Sequence, residues 1–140
     1  MIEKPSDYLE EAKEYVRHEA TWTKCYEALD KDGNQVPVDS DEACIFCMWG
    51  AMKVVEPLAG DPGVVFTART ALQTACLENN LVAEQPYVTI TEFNDDPIRE
   101  HREVIKAFDR AIYLADVWEE KAADACRWEI MKKKSGRYEG

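Results

Sequence analysis

Residues 39–55 read DSDEACIFCMWGAMKVV, a helix-start signature followed by an almost unbroken apolar run. Asp39, with Glu42 three residues later, has the pattern of a capping box, which predicts a helix over Ala43–Val55. Apolar residues occupy most of the circumference of this helix, so we expect it to be the buried central helix. Gly50 costs the helix about 1 kcal/mol relative to Ala, and its presence predicts the close approach of another backbone.

Apolar residues at helical spacing predict further helices on both sides of this segment. The first covers about residues 6–20, with Ser6 as its cap. The other begins at Asp61-Pro62, a cap followed by a proline in the first helical position. It ends near Asn79-Asn80, because asparagine tolerates the left-handed backbone of a helix C-terminus.

The sequence is helical in pattern from about residue 96 to residue 134. Apolar residues recur there at alternating steps of four and three over about six turns, at Val104, Phe108, Ala111, Ala115, Trp118, Ala122 and Ala125. This line of apolar residues along one face of the helix, which we call the seam, is longer than the other helices can bury. We therefore expect a C-terminal helical extension over residues 116–134. The interaction candidates on the extension are Trp118, Trp128, Ile130 and Met131; the alternative is that the 6–20 helix folds back over them.

Two regions leave room for minor β structure. Cys25–Leu29 and Gln35–Val38 flank a turn signal at residues 30–34, and they predict either a small hairpin or a helical turn that leads into the loop. Residues 87–91 have strand-like composition and either pair with the 22–38 region or stay extended. The predicted fold is a single mainly α domain over residues 1–140: a helical bundle around a buried central helix, with at most a minor β-hairpin.

Charge and hydropathy restrict the class of partner. The 140 residues carry a net charge of −11, which argues against direct binding to nucleic acid because phosphate recognition needs a basic surface. No run of about eighteen apolar residues predicts a membrane span, and the N-terminus lacks the features of a signal peptide. We therefore expect a protein in the cytoplasm of its cell or host. The apolar residues on the C-terminal helix predict that it binds a protein partner or associates with itself as a homodimer through this helix.

The five cysteines are odd in number and match no disulfide framework. Cys44 and Cys47 form a CxxC pair, which invites zinc or redox chemistry, and His18 and Cys25 would be the two further ligands that zinc needs. The pair lies inside the predicted apolar helix rather than at its start, where a thiolate is stabilised. We expect these thiols to pack in the core and predict no cofactor; a structural zinc site is the alternative.

Residues 93–104, FNDDPIREHREV, concentrate polar groups at the predicted start of the longest helix. In one interpretation they line a pocket against the Trp49-Gly50 face, with Asp95 as a base or metal ligand and Arg99 as an anion clamp. In the other, Asn94 and Asp95 bond loop amides and Asp95 pairs with Arg99. The ligand-binding candidates are Asn94, Asp95, Arg99, His101 and Trp49. No set of catalytic residues is predicted.

Three stretches together resemble a family of small uncharacterised bacterial and phage domains. They are Trp22 with Ala28-Leu29-Asp30 and the Asp32-Gly33 turn, then Phe46–Met52, then Phe93–Arg99 with Glu103-Val104 and Asp109-x-Ala111-Ile112. Their order and spacing agree over about residues 22–115. The chain departs at Ile98, where the family prefers Gly, and at Glu100, where it prefers a capping Thr. We therefore expect the cap at Asp96, with Pro97 in the first helical position.

The resemblance implies a shared fold and a shared pocket, and it brings no activity. The function favoured by these observations is that of a non-enzymatic acidic interaction protein, encoded by a phage or mobile element. One alternative is a small-ligand-binding protein or enzyme that uses the Asn94-Asp95-Arg99 cluster. A second alternative is a structural zinc protein that uses Cys25, Cys44, Cys47 and His18.

Overall fold

The computed structural model describes residues 1–79 and 88–136. Within these ranges the chain forms five α-helices and one two-stranded antiparallel sheet. The elements are α1 (Pro5–Val16), β1 (Ala28–Leu29), β2 (Ile45–Phe46), α2 (Met48–Val55), α3 (Pro62–Glu78), α4 (Ile90–Asp95) and α5 (His101–Gly136). The predicted mainly α class with a minor β element is confirmed. Over the described residues, no helix combines the length and the apolar character that a membrane span requires.

Helix α1 holds the core together because it contacts α2, α3 and α5. Its inward stripe is fully buried and consists of Tyr8, Leu9, Ala12 and Val16. The Tyr8 hydroxyl donates a hydrogen bond of 2.5 Å to the carbonyl oxygen of Met52, and burial raises the pKa of Tyr8 to about 12. The central position that the sequence predicts for residues 43–55 is therefore shared with α1, which fastens α2 to the other helices.

The predicted bounds of the first helix, 6–20 with a cap at Ser6, are wrong at both ends. Helix α1 follows Lys4 and begins at Pro5, while Ser6 is buried in the first turn. A proline suits this position because it lacks the N–H group that the first turn leaves unpaired. The helix ends at Val16, after which His18 is extended and a 3-10 turn spans Glu19–Thr21.

The predicted start of α2 at Ala43 is also wrong, because β2 intervenes. The backbone at Ala43 donates to Ser40 in a turn, and the next residues pair with β1 in the register Ala28↔Phe46 and Leu29↔Ile45. Helix α2 begins only after Cys47, whose Sγ accepts a hydrogen bond of 3.2 Å from the Gly50 amide. The Asp39–Glu42 pattern therefore lies outside the helix, since the backbone between the pattern and α2 belongs to the sheet.

Of the two alternatives for residues 25–38, the structure contains the hairpin in a shortened form. The partner of β1 is β2, and Gln35 contributes an isolated antiparallel bridge to Leu29. The turn between them is closed by a 2.8 Å hydrogen bond from the Asp30 amide to the Asn34 carbonyl oxygen, with Gly33 at a φ of +84°. Pro37 lacks an amide donor, which disfavours an extension of the ladder along this segment.

The strand-like composition of residues 87–91 does not produce a strand in the part that the structure describes. Tyr87 lies outside the described residues, and Ile90 is the first residue of α4. Thr89 caps this helix, because its Oγ1 accepts a hydrogen bond of 3.0 Å from the Glu92 amide. The capping interaction decides the conformation here over the β propensity of the Val-Thr-Ile run.

The start predicted for the longest helix, with Asp96 as its cap, is wrong. Asp96 instead closes a turn, since its Oδ1 accepts from the Ile98 amide at 3.1 Å, and α5 begins at His101. Glu103 reaches back to the Glu100 amide, with an O–N distance of 2.8 Å. In a capping box, a glutamate in the first turn accepts a hydrogen bond from the amide of the cap residue. Glu103 makes this bond to Glu100, so the start of α5 is capped without the threonine that the family prefers at residue 100.

Asn79 occupies the C-terminal cap of α3, but not in the left-handed conformation that the sequence predicted. Its φ and ψ angles are −93° and 1°. Its side-chain amide donates to the Ala75 carbonyl oxygen at 2.7 Å, which satisfies one of the last carbonyl groups of the helix. The predicted second cap residue, Asn80, lies outside the described residues.

The close backbone approach predicted at Gly50 is confirmed. A Cβ atom built on Gly50 would lie 1.9 Å from the carbonyl oxygen of Glu27. No rotamer change relieves this contact, because the backbone fixes the position of a Cβ atom and the Glu27 oxygen is itself a backbone atom. The segment that precedes β1 is therefore packed directly on α2, and only glycine permits the contact.

We expect Gly50→Ala to lower the free energy of unfolding by about 3 kcal/mol, since overpacking against a backbone atom forces the chain to move. Urea unfolding followed by tryptophan fluorescence measures the change. Gly60→Ala is the matched control: a Cβ at Gly60 would meet only the end of the flexible Met1 side chain, so we expect a change within about 0.5 kcal/mol. Equal effects of the two variants would contradict this account of Gly50.

Candidate functional site

The amide of Asn94, at the C-terminal end of α4, forms a completely satisfied hydrogen-bond network. Its Oδ1 accepts from the Trp22 indole N–H at 2.7 Å and from the Met48 amide at 3.0 Å. Its Nδ2 donates to the Thr23 carbonyl oxygen at 3.0 Å and to Oδ1 of Asp95 at 2.9 Å. Asn94 is fully buried. An asparagine amide offers two acceptor and two donor positions, and all four are used within the protein.

Asp95 extends this network to an exposed turn. Its Oδ1 also accepts a hydrogen bond of 2.8 Å from the amide of Cys25. Cys25 has a φ of +71°, a left-handed conformation that is uncommon for a residue with a side chain. The carboxylate therefore helps to hold the loop that begins at Trp22 in this turn. We call the bonds of Asn94 and Asp95 to residues 22–25 and to Met48 the asparagine tie.

Arg99 lies in a separate cluster and does not pair with Asp95. Only 7% of its surface is exposed. Its Nε donates to the Phe93 carbonyl oxygen at 2.8 Å, and the guanidinium carbon lies 3.6 Å from the centre of the Phe93 ring. Its Nη1 pairs with Glu103 at 3.1 Å, while Nη2 lies 3.8 Å from Asp96. The arginine thus fastens the end of α4 to the start of α5.

The remaining two ligand-binding candidates point to other neighbours. His101 Nε2 donates to the Val16 carbonyl oxygen at 2.7 Å, at the end of α1. Trp49 is half-buried, and its ring lies 4.9 Å from the guanidinium carbon of Arg69. The structure therefore brings Asn94 and Asp95 together, whereas Arg99, His101 and Trp49 each contact a different set of neighbours. A ligand-binding role for the five residues stays a prediction.

Sequence reasoning missed the partners of Asn94. Trp22, Thr23 and Met48 lie 46 to 72 residues away in the chain, so no local pattern joins them. Only Trp22 indicated a partner from the sequence, because a buried indole N–H usually donates a hydrogen bond to some acceptor. The sequence does contain that tryptophan in the first of the three family-like motifs, but it does not indicate which acceptor the indole takes.

The cysteine side chains are distributed between the core and the surface. Cys47 and Cys76 are buried, whereas Cys25, Cys44 and Cys126 are exposed, so the expected core packing is wrong for Cys44. Cys47 is the cap of α2, so its predicted position inside the helix is wrong. Burial raises the pKa of the Cys47 thiol, and it raises that of Cys76 to about 12. Over residues 1–79 and 88–136, no three His, Cys, Asp or Glu side chains converge as metal ligands, and this includes the proposed zinc set.

The second half of α5 leaves the body of the protein. Helix α1 packs along the first half of α5, and Trp118 is partly buried against the core. Every residue from 119 to 134 is exposed. Trp128 is 61% exposed, and Ile130 and Met131 are exposed to a similar degree. We call residues 116–134 the projecting segment. Helix α1 covers at most the start of this segment, near Trp118. The side chains of Trp128, Ile130 and Met131 face solvent.

A groove of about 570 Å³ opens where the projecting segment leaves the body. Its apolar lining comes from the starts of α1 and α3 and from α5, namely Pro5, Val64, Phe66, Ala115, Trp118 and Ala122. The charged residues that line it, Glu3, Asp61 and Glu119, are all acidic. We call this feature the root groove. The interaction candidate Trp118 forms part of it, next to the highly exposed ring of Phe66.

These features define a mainly α-helical domain. Its conspicuous polar cluster joins elements of the fold, and its exposed apolar residues lie on the part of α5 that extends beyond the body of the protein. A family model matches residues 1–114, and the chain belongs to this family of unknown function, DUF6197. The match includes α1, which carries none of the three motifs, and it ends before the projecting segment begins. No curated protein and no solved structure matches the chain.

We expect Asn94→Ala to lower the free energy of unfolding by about 3 kcal/mol, because it leaves two donors, the Trp22 indole and the Met48 amide, without a buried acceptor. Asp95→Asn is the control: it keeps an oxygen that can accept from Cys25, so we expect a loss of about 1 kcal/mol or less. Urea titration of both variants measures the difference. An Asn94→Ala variant as stable as the wild type would show that the tie does not support the fold.

We expect three of the five thiols to react with a disulfide reagent in the native protein at pH 8, namely Cys25, Cys44 and Cys126. The thiolate is the reactive form, and at pH 8 a thiol with a pKa of about 12, as for Cys76, is ionised in about one molecule in ten thousand. Cys47 and Cys76 should react only when the chain unfolds. Mass spectrometry of the labelled peptides identifies the sites, and rapid labelling of Cys47 in folded protein would contradict its burial.

Proposed function

We propose that this chain is a non-enzymatic interaction protein that binds a protein partner through its projecting segment. The observation that carries the proposal is the exposure of residues 119–134 together with the apolar character of Trp128, Ile130 and Met131. Tryptophan and methionine are enriched at protein interfaces, and tryptophan often dominates their binding energy. A helix that keeps such side chains in water presents them to a binding partner.

The distribution of charge supports a protein as the partner. The projecting segment contains five acidic residues (116, 119, 120, 124 and 129) and five basic residues (121, 127, 132, 133 and 134), so its net charge is zero. The net charge of −11 therefore lies entirely on the rest of the chain. An acidic body disfavours nucleic acid and anionic membrane surfaces, whereas it leaves a neutral helix free to contact another protein. A cytoplasmic location and a phage or mobile-element origin belong to the same proposal. The first rests on the hydropathy of the sequence, and the second rests on the sequence resemblance.

The alternative function, ligand binding at Asn94 and Asp95, draws no support from the hydrogen bonds. All four positions of the Asn94 amide are used by protein groups, and Asp95 holds the Cys25 turn. A binding group must exchange such bonds for bonds to the ligand, and each buried group left unpaired costs about 1–3 kcal/mol. The projecting segment offers its side chains without that cost.

We expect the triple variant W128S/I130S/M131S to unfold at the wild-type temperature within about 2 °C, because surface substitutions outside the core change stability little. The same variant should lose the binding of partner. Light scattering over a range of concentrations reports self-association, and affinity capture from extracts of the source cells, with quantitative mass spectrometry, reports other partners. Tyr113→Ser is the matched control, since Tyr113 is 58% exposed on the same helix but lies before the projecting segment. A wild-type chain that stays monomeric and captures no protein that the triple variant loses would exclude the proposal.

A further inference from the structure

The projecting segment is divided into two halves of opposite charge. Residues 116–124 contain four acidic residues and one lysine, which gives −3, and residues 127–134 contain one glutamate and four basic residues, which gives +3. The boundary lies at Ala125 and Cys126. The basic half complements the helix dipole at the C-terminus of α5, and the dipole accounts for charge in the last turn only. It does not account for an acidic half of equal and opposite charge in mid-helix.

We infer that the partner of the projecting segment is a second copy of this chain, and that the two segments pair in antiparallel orientation with a two-fold axis beside Ala125; this inference rests on the proposed function. In that orientation the acidic half of each copy lies along the basic half of the other. A parallel pair would instead align acidic with acidic and basic with basic residues, which is repulsive. The charge pattern of one helix thus selects the orientation.

The root groove supports the same arrangement through its apolar lining and through two acidic residues outside the segment, Glu3 and Asp61. A two-fold axis beside Ala125 brings residues 132–134 of one copy next to residues 116–118 of the other, at the root groove. The end of the segment carries two exposed apolar residues, Ile130 and Met131, followed by three lysines. The groove has an apolar lining, and its charged residues are acidic. The groove on each copy therefore matches the end of the other copy's segment in both hydropathy and charge.

The antiparallel pair also accommodates the net charge of the chain. Two bodies that each carry negative charge repel each other, and a face-to-face contact of the bodies would concentrate that charge. Pairing through the neutral segments leaves one body at each end of a helix pair. Because the helix rises 1.5 Å per residue, the 19 residues from 116 to 134 extend over about 28 Å.

The first test is the salt dependence of self-association of the full chain. We expect sedimentation equilibrium to give a dimer whose dissociation constant rises roughly tenfold between about 50 mM and 500 mM NaCl, since salt screens attraction between exposed charges. A dimer that is unaffected or strengthened by salt would overturn the complementary pairing of charge. A monomer at all concentrations would overturn self-association.

Charge reversal tests the pairing of the halves. The variants K132E/K133E/K134E and E119K/E120K/D124K should each dimerise at least tenfold more weakly than the wild type, and an equimolar mixture of the two should restore dimers. The control K4E/K31E/K106E changes the net charge as much as the first variant does but leaves the segment intact. It should therefore dimerise more strongly than that variant. Equal weakening by the control and by K132E/K133E/K134E would assign the effect to net charge and overturn the inference.

Disulfide trapping tests the orientation directly. In a C126S background we would place one cysteine in each half, as K121C and E129C, and oxidise each variant alone and the two in mixture. Antiparallel pairing brings residue 121 beside residue 129 of the other copy, whereas the two copies of residue 121 lie about 12 Å apart along the helix axis, beyond the reach of a disulfide. The mixture should form the 121–129 crosslink, identified by peptide mapping, and neither variant should crosslink its introduced cysteine to itself.

Crosslinks of 121 to 121 or of 129 to 129 would show a parallel pair and overturn the inference, while the proposed function would stand. A monomeric chain whose segment captures a different protein would likewise overturn the inference alone. A monomeric chain that captures nothing sensitive to W128S/I130S/M131S would overturn both.

Discussion

The buried amide of Asn94 is the contact on which the arrangement of the smaller elements depends. It joins the loop after Trp22, the first amide of α2 and the end of α4 in a single set of four hydrogen bonds. Residues 22–27 have little regular structure, and α4 is too short to be stable alone. The side chains of Asn94 and Asp95 therefore fix the positions of these short segments, which helix propensity alone does not determine. The same loop lies against α2, which is why Gly50 admits no side chain.

The helices could largely be predicted because their signals are local. The periodic apolar residues of α1, α3 and α5 indicate which face is buried, and Pro62 marks the start of α3. One error occurs where a distant partner decides the conformation. Ile45 and Phe46 form a strand only because β1 lies beside them, and this moves the start of α2 to Met48. At Thr89 the error has a local cause, since the hydrogen bond that the Thr89 hydroxyl accepts from the Glu92 amide favours a helix over the β propensity of the run.

The polar cluster around Asn94 illustrates what a sequence leaves undecided. The pattern concentrates polar side chains at Asn94 and Asp95, but the same residue types would line a pocket or join two segments. The choice depends on Trp22, Thr23 and Met48, which only the folded chain brings together. The extension at the C-terminus could be recognised more directly. Its seam is longer than the other helices can cover, and the structure shows residues 119–134 exposed.

The continuity of α5 has a consequence for the reach of the molecule. Because one helix runs from the buried residues Val104 and Phe108 to the exposed residues near Met131, the projecting segment is a spacer with a fixed length rather than a flexible tether. The Debye length at physiological ionic strength is about 8 Å, whereas the segment extends about 28 Å. A partner held near the end of the helix therefore lies beyond most of the electrostatic field of the acidic body. The length of the helix allows a strongly charged domain to bind a partner of the same sign.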